Sequence, residues 1–229
     1  MDRDRARPGA EVTTLLDLPA SAAASLAARK VMLVEGPAEV FLVPPLLKHA
    51  KGIDLDRAGV AIIPIHGIHF HDYAALFAPG TPPGKCAIVA DRDLRPSDAD
   101  ATINSLDTPN APPDLSALEG AQFRVFTCKT SFERAITTEG NLGMLALAAD
   151  DIGAPLLAQR LRLGEEALND TRLGEAERKD ILKPLRQLVL DTARRFGKAR
   201  FARLAAGHAE RARDAPKYLV RAATWLIET

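Results

Sequence analysis

Four short apolar runs, each closed by polar or acidic residues, set the pattern of this 229-residue chain. They cover residues 31–34, 58–65, 86–90 and 123–128 and are rich in Val, Ile, Ala and Phe. The first, apolar throughout rather than alternating, predicts a strand of a parallel sheet buried on both faces, and the other three predict further strands beside it. Between them the period changes. Val40, Phe41, Leu42, Leu46 and Leu47 predict a helix after the first strand, which Pro44-Pro45 is expected to kink or restart. Phe70, Tyr73, Ala74 and Phe77 predict a second helix over 69–77. Residues 94–120, rich in Pro and Asp, predict an exposed loop with one short helix. From Ser131 onward the spacing is helical, with breaks expected near Gly140, Gly153, Gly164, Gly174 and Gly197. Strands alternating with helices predict an α/β fold with a small parallel sheet of about four strands, and the long helical remainder predicts an added helical subdomain. The expected division is an N-terminal lead-in and helix at 1–29, a core at 30–133, a helical insertion at 134–195 and a basic C-terminal segment at 196–229.

Composition narrows this little. Hydrophobic residues make up 47% and aromatics only 5%, so the core must be built from Ala, Leu, Val and Ile. No apolar run is long enough to span a membrane, and the N-terminus lacks a signal-peptide pattern. Cys86 and Cys128 fall inside strand-like runs and form no zinc or redox motif, which predicts reduced core thiols in a cytoplasmic protein.

Charge changes the picture more. The formal net charge is +0, yet residues 183–221 hold eleven Lys/Arg against three acids, a net +8. Residues 91–119 are acidic. A basic arm beside an acidic centre suits a metal-dependent enzyme acting on a polyanion, although a basic helical surface is also a common way to solvate a helix.

The candidate chemistry lies where the strands end. Val34 is followed by Glu35, Gly36 and Pro37, with Glu39 one helical turn on. Gly36 is expected to permit a sharp turn off the strand, and Pro37 suits a first helical position. The third strand closes in Asp91-Arg92-Asp93, and alternation brings both aspartates to one side. Either pair alone has a plain structural reading, as a helix start or a turn. Both pairs at one edge of a parallel sheet would repel unless cations lay between them. Hard oxygen donors without His or Cys at zinc spacing indicate Mg²⁺ or Mn²⁺.

In order, Val-Glu-Gly-Pro-Ala-Glu, Ile-His-Gly-Ile-His-Phe, Val-Ala-Asp-Arg-Asp and Lys-Thr-Ser-Phe-Glu resemble the C-terminal Toprim region of the OLD (overcoming lysogenization defect) family of nucleases. The resemblance covers residues 30–134 and returns at Phe196-Gly-Lys-Ala-Arg-Phe-Ala. It implies a Toprim-like sheet, with residues 196–229 completing the site, and a two-metal DNA endonuclease. Glu35, Glu39, Asp91, Asp93 and Glu133 would hold two Mg²⁺ or Mn²⁺ ions, with Ca²⁺ a further occupant. Glu35 and Asp91 would act directly in cleavage, with Lys198 beside the scissile phosphate, and Arg200 and Lys217 would contact the DNA backbone.

Family members carry an N-terminal ATPase, and this chain is expected to be an excised C-terminal region or a variant without the motor. Gly80-Thr-Pro-Pro-Gly-Lys-Cys is one residue short of a P-loop and leads into a strand, so it is not a nucleotide site. His66, His69 and His71 are as well explained by a helix start or phosphate contact as by ligand roles. A topoisomerase or primase type of Toprim enzyme is an alternative, but Tyr73 reads as core, and Tyr218 lacks the separate domain that an attacking tyrosine requires. The other alternative is a non-catalytic nucleic-acid-binding or assembly module; five intact acids argue against decay.

Overall fold

The computed structural model describes residues 30–65, 84–91 and 119–228. Strands β1 (Lys30–Val34), β2 (Val60–Pro64), β3 (Lys85–Asp91) and β4 (Phe123–Cys128) form a parallel sheet in the order β2-β1-β3-β4. All four predicted strands are present with boundaries shifted by a residue or two. β1 is central, and Val34 is level with Pro64 on one side and Val89 on the other. Glu35 and Asp91 therefore emerge at the same, C-terminal edge.

Seven helices complete the described architecture: α1 (Pro37–Lys51), α2 (Phe132–Ile136), α3 (Leu142–Asp151), α4 (Pro155–Leu168), α5 (Glu175–Phe196), α6 (Lys198–Ala206) and α7 (Lys217–Ile227). Met32, Val34, Ala87, Val89 and Phe126 on one sheet face join these helices in a single large core. Val31, Leu33, Cys86, Ile88 and Val125 form a second buried cluster on the other face. The alternation of Val31 and Leu33 against Met32 and Val34 is the pleat of a strand buried on both sides. Among the described residues no helix is long and apolar enough to cross a membrane. The helix expected over 69–77, His66, and the loop from 94 to 118 lie outside the described residues.

Two expectations are corrected. α1 runs unbroken through Pro44 and Pro45. Ala38, Glu39, Leu42 and Val43 are buried before the prolines and Leu46 and Leu47 just after them, so tertiary packing holds the helix across two missing amide donors. Gly164 does not break a helix either; it lies inside α4. A Cβ there would come within 2.5 Å of Leu185 Cδ1 on α5, so the glycine serves close helix packing. Gly197 does separate α5 from α6, and its φ of 97° is a conformation that favours glycine.

α7 packs against β1, β3, β4 and α1. Lys85 Nζ donates to Trp225 O at 3.1 Å and Glu228 O at 2.6 Å, and Lys30 Nζ donates to Ile227 O at 3.2 Å. These bonds tie the C-terminal end of α7 to the starts of β1 and β3. Its eleven residues, about 16 Å at 1.5 Å each, run back along the strands and bring its first turn to the acidic edge.

A candidate metal centre at the C-terminal edge of the sheet

Three segments carry acids to this edge, and a fourth carries a cation, Lys198. Glu35 follows β1, and Glu39 lies in the first turn of α1, where a carboxylate complements the helix dipole. Gly36 has φ −155°, extended backbone open to any residue, so the expected turn does not demand glycine. A Cβ at Gly36 would stand 3.7 Å from Glu39 Oε2, in van der Waals contact with that carboxylate. Asp91 is the last residue of β3, and Glu133 sits in the first turn of α2, capped by Ser131.

Backbone amides hold two of the acids. Asp91 N donates to Glu35 Oε1 at 2.6 Å, and Phe132 N donates to Asp91 Oδ2 at 2.7 Å. Glu35, Asp91 and the start of α2 are thus linked in one chain of charge-assisted bonds. Glu133 is 2% exposed, and neither of its carboxylate oxygens has a hydrogen-bond partner. Lys198 Nζ stands 3.2 Å from Glu133 Oε2, an ion contact without the alignment of a hydrogen bond. A lysine in the first turn of α6 opposes the helix dipole, and the Glu133 carboxylate offsets that local cost.

The protonation states follow from burial and crowding. Desolvation, then the charges of Glu133 and Glu35, push Glu39 up to about 7 despite the opposing Lys198 ammonium. Burial, followed by Glu35 and Glu39, holds Asp91 well above the usual carboxylate range. Burial pulls Lys198 down, but Glu133, Asp91 and Glu39 outweigh it, so the ammonium is held above its ordinary value. Lys198 is a fixed positive charge, not a base.

Among the described residues no three carboxylate, imidazole or thiol groups already enclose one ion. The donor set nevertheless fits a hard divalent cation: carboxylates brought to one edge, a buried Glu133 carboxylate without an aligned hydrogen bond, and acids that can ionise together only beside a positive charge. Glu35, Glu39, Asp91, Glu133 and Lys198 are brought together; Asp93, His69 and His71 lie outside the described residues. Arg200 is exposed two residues after Lys198, and Lys217 is exposed at the start of α7.

The residue that pattern reasoning passed over is Tyr218. Its hydroxyl is buried without an aligned hydrogen-bond partner, and burial, then Cys128, Asp91, Glu39 and Glu133, raise its pKa. The available signal was its position beside Lys217 in a segment that returns to the sheet.

Residues 26–93 match the family model "Overcoming lysogenization defect protein-like, TOPRIM domain". The fold is similar to the C-terminal region of the Burkholderia pseudomallei OLD protein, with TM-score 0.57 and 23% identity over 87% of this chain and 96% of that one. It is also similar to the C-terminal region of the Xanthomonas campestris pv. campestris OLD protein, with TM-score 0.55 and 23% identity over 88% and 93%. No curated protein matches the chain in sequence.

Proposed function

We propose, from the premise that this chain carries an OLD-like Toprim domain on an OLD C-terminal fold, that it is a divalent-metal-dependent endonuclease that hydrolyses DNA phosphodiester bonds. The observation that carries the reading is the convergence of Glu35, Glu39, Asp91 and Glu133 with one fixed cation, Lys198, at the C-terminal edge of a parallel sheet.

Glu35, Glu39, Asp91 and Glu133, with Asp93, are the residues that would hold Mg²⁺ or Mn²⁺, two ions in all, with Ca²⁺ a further occupant. Bound there, the ions would supply an activated water and charge stabilisation at the leaving oxygen. The protein's own part is positioning and charge. The backbone amides of Asp91 and Phe132 fix the orientations of Glu35 and Asp91, so little ligand reorganisation remains when a cation arrives. Glu133 keeps Lys198 protonated and half-buried at the site. The ammonium would then offset negative charge that grows on the phosphate in the transition state. Arg200 and Lys217, exposed on the neighbouring helix starts, would carry the DNA backbone toward it.

The division at 30–133, 134–195 and 196–229 follows the same logic: a core with the five candidate acids, a helical insertion, and a basic segment that delivers Lys198. An ATPase, in cis or in trans, is the expected partner, and the setting is the cytoplasm. Incubating supercoiled plasmid with Mg²⁺, Mn²⁺, Ca²⁺ or EDTA tests the reading. Cleavage with Mg²⁺ or Mn²⁺ that EDTA abolishes is expected. DNA binding without cleavage under any divalent ion would leave a non-catalytic nucleic-acid-binding module.

A further inference from the structure

The mechanism above leaves one buried polar group at the site unused. Tyr218 lies in the first turn of α7, the turn brought to the acidic edge by the lysine bonds at the helix's other end. Its hydroxyl is buried, and the Cys128 sulfur beside it, a weak acceptor, lacks the alignment of a full hydrogen bond. The groups that act on it are Cys128, Asp91, Glu39 and Glu133. Three of these are acids of the candidate centre, and the fourth pairs with Asp91 across β3 and β4. A phenylalanine would fill the same space without burying a hydroxyl that has a weak sulfur acceptor beside it and no aligned partner, so packing gives little reason for the oxygen. Glu133 shows the complementary deficit: two buried acceptor oxygens without an aligned donor, Oε2 having the Lys198 ammonium at 3.2 Å and Oε1 no partner. A neutral phenol has one O–H to give, and burial, then the surrounding negative charge, keeps it neutral.

We propose that Tyr218 is a positioning residue of the acidic centre: when Glu133, the carboxylate that no backbone amide holds, turns to meet a cation, the Tyr218 O–H donates a hydrogen bond to it and fixes its orientation. The inference rests on the metal-centre reading above. Partners of this kind set ligand geometry, and their removal typically costs ten- to a hundredfold in metal affinity, about tenfold being expected for one neutral hydrogen bond.

Tyr218→Phe removes only the hydroxyl. Titrating the full chain with Mn²⁺ alone by calorimetry, and melting it with and without Mn²⁺, gives readouts independent of cleavage. The variant is expected to melt at or above the wild-type temperature in EDTA, because it loses a buried hydroxyl that has no aligned partner. It should bind Mn²⁺ about tenfold more weakly and gain correspondingly less in Tm from the ion. Wild-type Mn²⁺ affinity in the variant would overturn the role of Tyr218 and leave the metal centre standing. So would a lower Tm in EDTA, or failure to fold, since either means that the hydroxyl already has a structural partner. Failure of the wild type to bind Mn²⁺ would remove the metal centre and this inference with it.

Discussion

Replacing Glu39 by Gln should stabilise the cation-free protein, in a way that depends on pH. Glu39 is 7% exposed and its carboxyl is raised from 4.5 to about 7, first by desolvation and then by Glu133 and Glu35. A raised acid binds its proton more tightly in the folded state than in the unfolded one, so stability falls as pH rises between the two pKa values. The penalty is absent below about pH 4.5 and complete above about pH 7. At 1.36 kcal/mol per pKa unit the full effect is about 3 kcal/mol. For a chain of this size that corresponds to about 6–12 °C in Tm. Glutamine keeps the shape and carries no charge, and subtracting the wild-type curve cancels titrations common to both proteins. In EDTA the two proteins should melt together near pH 4.5, and Glu39→Gln should melt about 6–12 °C higher at pH 8. Mn²⁺ should reverse the order, because the ionised wild-type carboxylate gains a cation and the amide does not. Scanning calorimetry from pH 4.5 to 8 decides it. A Tm difference that is flat with pH would refute the claim that burial and like charge, rather than packing, dominate at Glu39.

Lys198→Ala should leave Mn²⁺ affinity unchanged or improved but slow single-turnover DNA cleavage about 10²–10³-fold, because its charge matters most in the transition state. Arg200→Ala combined with Lys217→Ala should weaken DNA binding alike on unrelated sequences. Each lost phosphate contact lowers the slope of log affinity against log salt by about 0.9, measurable by fluorescence anisotropy. Gly164→Ala should cost about 1–3 kcal/mol in urea unfolding, since the new methyl meets Leu185, with no change in Mn²⁺ affinity.

The sheet was legible because its signal is local. Four short, β-branched apolar runs predict four buried strands, and parallel geometry then places Glu35 and Asp91 at one edge without further information. The helix starts were legible for the same reason: Pro37 and Ser131 mark them in the sequence. What pattern could not supply is distance in the third dimension. Gly164 reads as a break until Leu185 on α5 is seen to press on it, and the prolines of α1 read as an interruption until the burial on both sides is known. Lys198 became a site candidate only through a family resemblance, since nothing local separates it from the other lysines of a basic helix; its contact with Glu133 spans sixty-five residues of chain. Tyr218 had no local mark beyond its place beside Lys217, and the sequence weighed it only as an attacking tyrosine. Its relation to the acids depends on lysines at the far end of α7 fixing that helix against the sheet.

The account stands on the acids of the sheet edge acting together with a divalent cation, and Asp91→Asn tests that most directly. Asparagine retains an acceptor oxygen for the Phe132 amide, so the local fold is kept while the charge is lost. The measurement is the initial rate of supercoiled-plasmid nicking in saturating Mn²⁺, compared with wild type at equal DNA occupancy. Nicking by the variant should fall to the level seen in EDTA. A variant that nicks at the wild-type rate would contradict the carboxylate mechanism, whatever the fold resembles.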